Sequence, residues 1–448
     1  MAKSADNEAR ERLFARVRSM PPELPTTQKN PKQMLHSETD FSSLPGYDEF
    51  RLQRDIGAKL GIENPYLSVH EGLSGARAEI SGRTFLNFSS YDYLGLNGHP
   101  EIVSAAKAAI DRYGISASGS RHVSGERPIH RELERALADH YGADDCVTLV
   151  SGYATNLGVI GQLLGPKDVL FYDSAIHNSV VMGGMLSNAA RRSFRHNDLD
   201  NLEEMLNTHR GSYERAMIVV EGVYSMDGDY PDLPQLIDLK NRHRAWLMVD
   251  EAHGLGVLGK RGYGVAEHFN VNGKDVDIWM GTLSKTLCAC GGYIAGSADL
   301  IDYLKCTAGV FVYSVAMPPV IAATAHKALE ILRREPERVR RLQRNGALFL
   351  KLTRERGLDT GTGCGTAVAP IMMHDSLPAA LLSQKLYDRG INVKPVLYPG
   401  VPAKASRLRF FLTADHSEAD IRTAVDAVSE EWERMGETIK SLKMPVQP

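Results

Sequence analysis

Lys285 closes the stretch Val276-Asp-Ile-Trp-Met-Gly-Thr-Leu-Ser-Lys285, where an ammonium group follows directly on an apolar run. Val276, Ile278, Trp279 and Met280 predict a short buried strand that Gly281 breaks. An ammonium in such a place is costly unless it is paired or used. Desolvation also lowers a lysine pKa, the condition for forming a Schiff base with a carbonyl. Taken alone, Lys285 reads equally well as a surface lysine at the start of a loop.

Other short apolar runs in the chain also end on polar residues. Cys146–Val150 is followed by Ser151, Gly152 and Tyr153, and Val169–Asp173 by His177. Ala216–Val220 is followed by Ser225, and Trp246–Val249 by Asp250 and His253. Each run predicts a strand, and open α/β sheets bind ligands beyond the carboxyl ends of their strands. Singly, Asp250 could cap a helix, His177 and His253 could be satisfied core histidines, and Ser225 a turn residue. Jointly with Lys285 they predict a pyridoxal phosphate site. Asp250 would keep a pyridine nitrogen protonated, which makes the ring an electron sink. The amides of Ser151-Gly152-Tyr153 open a helix and suit an anion. Thr282 suits the phosphate, and His177 is placed to stack on the ring.

The elements that must position these residues alternate as helix and short strand from about residue 129 to 300, the pattern of an α/β sheet with crossovers. Gly292–Gly296 predicts a strand returning through that sheet. Beyond about residue 317 come long helices over 319–355, short strands at 367–372, 391–395 and 407–412, and a last helix over 417–435. The expected layout is a peripheral N-terminal extension over 1–45, an arm with small strands over 46–95, a large domain over 96–316, a small α+β domain over 317–436 and a tail over 437–448. Helices are expected over 9–20 and 46–61, the latter burying Phe50, Ile56 and Leu60. Ser81-Gly82 predicts a hairpin turn. The small-residue loop Gly114–Gly125, which carries Arg121, is expected near the site.

Composition narrows the partners. The 448 residues carry a formal charge of -3 and are 43% hydrophobic and 24% charged, so no basic surface for nucleic acid or anionic membrane is expected. No apolar run is long enough for a membrane span. Asp6, Glu8 and Glu11 argue against a transit peptide, and the N-terminus lacks a signal-peptide core. Cys146, Cys288, Cys290, Cys306 and Cys364 show no framework spacing and predict reduced thiols in a cytoplasmic protein. No metal-ligand spacing is evident.

Asp250-Glu-Ala-His253, Gly281-Thr-Leu-Ser-Lys285, Glu221-Gly-Val-Tyr-Ser-Met-Asp-Gly-Asp229 and His196-Asn-Asp198 resemble the α-oxoamine synthase family of fold-type I pyridoxal phosphate enzymes. The resemblance covers about Asn64 to Met435. It implies a mostly parallel seven-stranded sheet with helices on both faces, and a homodimer with active sites at the subunit interface. It also implies decarboxylative, Claisen-type condensation of an acyl thioester, on CoA or an acyl carrier protein, with serine, alanine or glycine. By that resemblance Lys285 is the cofactor lysine and Cα base, and Asp250 is the partner of the pyridine nitrogen. His177 is the stacking histidine, and Ser225 and His253 surround the phenolic oxygen. Thr282 binds phosphate together with Ser314 of the other subunit, and Arg409 grips the amino-acid carboxylate. Tyr91, in Tyr91-Asp-Tyr-Leu-Gly95, is similar to the serine palmitoyltransferase and polyketide-linked branches. Arg407-Leu-Arg409 and Tyr313-Ser-Val-Ala-Met-Pro-Pro319 resemble the 8-amino-7-oxononanoate synthase branch of biotin biosynthesis. An aminotransferase or lyase of the same fold is a second reading. A non-catalytic subunit of a heteromeric synthase is a third, although such a subunit is expected to lack the lysine.

Overall fold

Seven short strands form the central sheet. They are β3 (Asp145–Leu149), β4 (Val169–Asp173), β5 (Ala190–Phe194), β6 (Ala216–Glu221), β7 (Trp246–Asp250), β8 (Ile278–Thr282) and β9 (Gly292–Gly296), in the order β3-β9-β8-β7-β6-β4-β5. All but the edge strand β5 are almost wholly buried. Strand β9 alone runs against the rest. All six residues of β6 are buried, as expected of a parallel strand covered on both faces. On one face Val159 and Ile160 of the helix Gly152–Leu163 join Val147, Met248 and Met280 in a single core. On the other, Tyr141 of the helix Pro128–Tyr141 stacks on Trp279 at 4.9 Å. Neighbouring side chains of a strand point to opposite faces, so Trp279 and Met280 place helices on both sides of the sheet.

The structure, a computed structural model, describes residues 40–48, 51, 54–55, 62, 64–398 and 400–442. The helix expected over 9–20, and Phe50, Ile56 and Leu60 of the one expected over 46–61, lie outside the described residues. By their contacts residues 69–427 form one compact unit, and the described residues before 69 and after 427 belong to another. All three sheets belong to the first. The steps expected at residues 95 and 316 both fall inside it.

Gly281 does not break its strand. Strand β8 begins two residues later than expected and runs through Gly281 to Thr282. A Cβ at Gly281 would lie 2.1 Å from the Tyr293 hydroxyl, which is bonded to the Tyr141 hydroxyl at 2.7 Å. Glycine is required there by close approach, and the strand continues.

Two small sheets accompany the large one. Strands β1 (Arg77–Ile80) and β2 (Arg83–Asn87) pair through a two-residue turn at Ser81 and Gly82, with φ of 51° and 69°. Both values suit a hairpin turn matched to strand twist. Strand β11 (Ile391–Asn392) pairs parallel to β2. Strands β10 (Val368–Met372), β12 (Lys394–Val396) and β13 (Arg407–Phe411) form an antiparallel sheet with β13 central. The loop after β6 ties this sheet to the large one. Arg407 reaches Asp227 at 2.5 Å and the Met226 carbonyl at 3.1 Å, and Thr366 donates to the Gly228 carbonyl at 2.8 Å. Gly228 has φ of 71°, and a Cβ there would meet the Val368 carbonyl oxygen at 1.9 Å.

The same loop is held from the other side by His196. Its Nδ1 bonds Asp173 at 2.8 Å and its Nε2 bonds Asp229 at 2.9 Å. Burial opposes the charged ring, but the two carboxylates outweigh it and raise its pKa from 6.5 to about 10. A group raised in the folded state stabilises fully below its unfolded pKa and loses that contribution as pH climbs through the folded one. At about 1.36 kcal/mol per unit, the clasp is worth on the order of a few kcal/mol. Stability of the wild type should therefore fall between pH 6.5 and about 10, and His196→Gln should flatten that fall. Denaturant midpoints across the range measure it, and parallel curves for the two proteins would contradict the clasp.

Candidate active site

At the carboxyl edge of the large sheet lies a cavity of about 210 Å³. Its walls include Ser151, Gly152, Tyr153, His177, Ser225, Asp250, His253, Thr282 and Lys285. Each owes its place to local structure. Ser151 caps the helix Gly152–Leu163, its hydroxyl accepting the Ala154 N–H at 3.3 Å. His177 caps the helix Asn178–Leu186, and its Nδ1 meets the Ser179 hydroxyl at 2.7 Å. Asp250 ends β7, where its Oδ2 accepts from the Asn156 amide at 2.8 Å and its Oδ1 from the Ala252 N–H at 2.9 Å. His253 Nδ1 is bonded to the Tyr93 hydroxyl at 2.7 Å.

Burial dominates the electrostatics. It lowers the Lys285 amine from 10.5 to about 8, against the pull of the Asp250 and Glu221 carboxylates, and Arg409 lowers it further. Burial likewise depresses the His177 and His253 imidazoles, so both rings are held towards the neutral form. It pushes the Glu221 carboxyl up to about 8, with Asp250 adding and Lys285 opposing. Groups whose pKa values are displaced together in one cleft mark a functional site.

The donor set fits pyridoxal phosphate. A carboxylate, a neutral imidazole and an amine of lowered pKa share the cavity with a helix N-terminus. The first amides of that helix have no partner within it and suit a phosphate. The cradle is narrow: a Cβ at Gly152 would stand 2.7 Å from the Thr282 hydroxyl. That hydroxyl donates to the Gly291 carbonyl at 2.9 Å and accepts the Ser284 N–H at 3.2 Å.

Two predicted residues stand beside the cavity. The Tyr91 ring centre is 5.7 Å from the Lys285 Nζ, and its edge meets Phe411 at 4.8 Å. Arg409, on β13, donates one Nη1–H to the Ser225 carbonyl at 2.9 Å, with its guanidinium 4.6 Å from the Phe411 ring centre. Ser314 does not line the cavity of its own chain; its hydroxyl donates to the Val315 carbonyl at 3.2 Å. No residue of the loop Gly114–Gly125 lines it either. Arg121 is buried in ion pairs with Glu126 and, at 2.8 Å, with Glu134. Asn156, Ser179, Glu221, Ser284 and Cys290 also line the cavity and were not singled out from the sequence. Away from the cavity, His99, Glu101 and Glu335 bring ligand atoms within 4.8 Å of one another, a grouping that chain spacing hides. Arg334 and Arg338 already bond the two carboxylates, at 2.6 and 2.8 Å.

Residues 83–428 match the aminotransferase class I and II family. The chain belongs to that family. Among its relatives, an 8-amino-7-oxononanoate synthase of Geobacter sulfurreducens is 41% identical over 82% of this chain and 93% of its own. A structure of S. paucimobilis serine palmitoyltransferase, solved with a bound PLP adduct of myriocin, superposes with a TM-score of 0.84 at 29% identity, covering 89% of this chain and 99% of that one. An 8-amino-7-oxononanoate synthase from Francisella tularensis gives 0.69 at 27% identity, over 78% and 98%. The fold is that of the fold-type I PLP transferases. No helix among the described residues is long and apolar enough to cross a membrane.

In this aminotransferase-family chain the Lys285 amine should titrate near 8 in cofactor-free protein. Because the Asp250 carboxylate raises that value, Asp250→Asn should lower the midpoint further. Labelling by an amine-directed reagent across pH, read on the Lys285 peptide, follows both. An ordinary lysine midpoint of 10.5 would contradict the burial of the amine.

Proposed function

We propose that this chain is a pyridoxal phosphate-dependent C-acyltransferase of the α-oxoamine synthase type. It condenses an acyl thioester with a small amino acid and releases carbon dioxide and free thiol. What carries this reading is the convergence of Lys285, Asp250, His177 and His253 on one cavity at the sheet edge, in a chain whose relatives are named for such synthases. The bound cofactor supplies an electron sink for negative charge developing at the amino-acid Cα.

The residues have separate tasks. Lys285 is the residue that holds the cofactor, and its amine, with a pKa of about 8, moves the proton at Cα near neutral pH. Asp250, kept from turning by Asn156 and the Ala252 N–H, would hold the pyridine nitrogen protonated. His177, held towards the neutral state, would pack on the cofactor ring, and Ser225 and His253 would hold its phenolic oxygen. Ser151, Gly152 and Thr282 receive the phosphate. Tyr153, whose hydroxyl donates to Asn178 at 3.1 Å, closes the rim. Ser314 of a second copy completes the phosphate site in a homodimer. The apolar side chains flanking it, Tyr313 and Val315, are 90% and 52% exposed, a surface suited to a neighbouring subunit.

Arg409 grips the substrate carboxylate. One of its donors is anchored on the Ser225 carbonyl, which leaves the rest of the guanidinium edge for a two-point contact. Tyr91, over Lys285, shapes the space for the amino-acid side chain. A serine palmitoyltransferase-like preference follows from Tyr91, and an 8-amino-7-oxononanoate synthase preference from the named relatives. Thiol release with acyl thioester and each of serine, alanine and glycine separates the two. Amino-group transfer to an added α-keto acid, with no thiol released when acyl thioester and amino acid are both supplied, would favour an aminotransferase.

Arg409→Lys keeps the charge but loses the fork. A hydrogen bond to a charged group is worth about 1.5–3 kcal/mol, so the amino-acid dissociation constant should rise roughly ten- to a hundredfold. Affinity for the acyl thioester should hold. A lowered Tm with unchanged amino-acid affinity would show that Arg409 serves only to tie β13 to the loop after β6.

A further inference from the structure

One buried carboxylate in the cavity has no task in the scheme above. Glu221 ends β6, is 3% exposed, and stands opposite Asp250 in the parallel register of β6 and β7. Its Oε1 accepts the backbone N–H of His177 at 2.7 Å. Its Oε2 accepts the backbone N–H of Ser225 at 3.0 Å. These donors belong to different segments, one following β4 and the other following β6.

We propose that Glu221 is a positioning residue, a single carboxylate that clips the His177 and Ser225 segments together and so sets the imidazole and the hydroxyl that face the cofactor. The inference rests on the cofactor reading of this cavity. Ionised, above its midpoint of about 8, the carboxylate has two oxygens and no donor, which matches two converging N–H groups. Glutamine offers one accepting oxygen, and its amide donors would confront the second N–H. Aspartate keeps the charge but is one methylene shorter and cannot span both segments. The surrounding backbone is drawn tight as well. A Cβ on the next residue, Gly222, would meet the carboxylate of Glu251 at 2.7 Å, and Glu251 itself accepts the Val265 N–H at 2.7 Å. Burial and the Asp250 charge work against an ionised Glu221. The Lys285 ammonium and the two amide bonds favour it.

Hydrogen exchange on cofactor-free protein tests the clip directly. In Glu221→Gln, peptides covering 175–180 and 222–228 should exchange faster together, by roughly tenfold or more, with Glu221→Asp behaving alike. The absorption spectrum of added pyridoxal phosphate should shift in both variants, along with its pH midpoint. A merely structural role would lower Tm and leave that spectrum as in the wild type. Faster exchange confined to 222–228, or an unchanged spectrum, overturns the proposal. If the variants do not fold, the wild type decides: the amide resonances of His177 and Ser225 should titrate with one shared midpoint, and independent midpoints overturn the clip. Failure of the wild type to bind pyridoxal phosphate would refute the cofactor reading, while exchange in cofactor-free protein still judges the clip.

Discussion

An amine and two carboxylates share one poorly hydrated sheet edge, and the rest of the unit is arranged around that fact. Lys285, Asp250 and Glu221 act on one another where water screens weakly, so each displacement of charge is felt by the other two. None could be buried alone at acceptable cost. Together they leave the lysine near 8, poised between its two forms at the pH where an enzyme works. A more hydrated edge would return the amine towards its ordinary value and leave it protonated at neutral pH.

Holding such a cluster in place falls largely to the backbone and to residues outside the cavity. Asn156 and the Ala252 N–H orient Asp250, Tyr93 orients His253, and Ser179 fixes the His177 ring. The loop after β6 is fastened at one end by the Asp173–His196–Asp229 clasp. At the other it is fastened by Arg407 and Arg409 of the small sheet and by Thr366 just before β10. Arg409 is therefore anchored by the same loop that carries Ser225, which couples the positions proposed for the substrate carboxylate and the phenolic oxygen.

Much of this was legible in the chain because a parallel strand is a short apolar run with a polar residue just past its end. The runs before Ser151, His177, Ser225, Asp250 and Lys285 all obey that pattern. Positions failed where the deciding partner is distant in sequence. Glu221 reads as a strand terminus, and nothing local shows that its carboxylate meets the His177 amide. Arg121, in a small-residue loop, reads as open to a backbone carbonyl or a ligand, yet Glu134 on the following helix claims it. Gly281 reads as a strand breaker because the Tyr293 hydroxyl that demands a glycine comes from the neighbouring antiparallel strand. The N-cap role of His177 is equally hidden, since histidine is not among the favoured capping residues.

The central claim is that the Lys285 amine is the covalent attachment point for pyridoxal phosphate. Borohydride reduction of protein loaded with the cofactor, followed by proteolysis and mass mapping, tests it most directly. A single phosphopyridoxyl label on the peptide carrying Lys285 is expected. A label on another lysine, or reduction without any stable label, would contradict it.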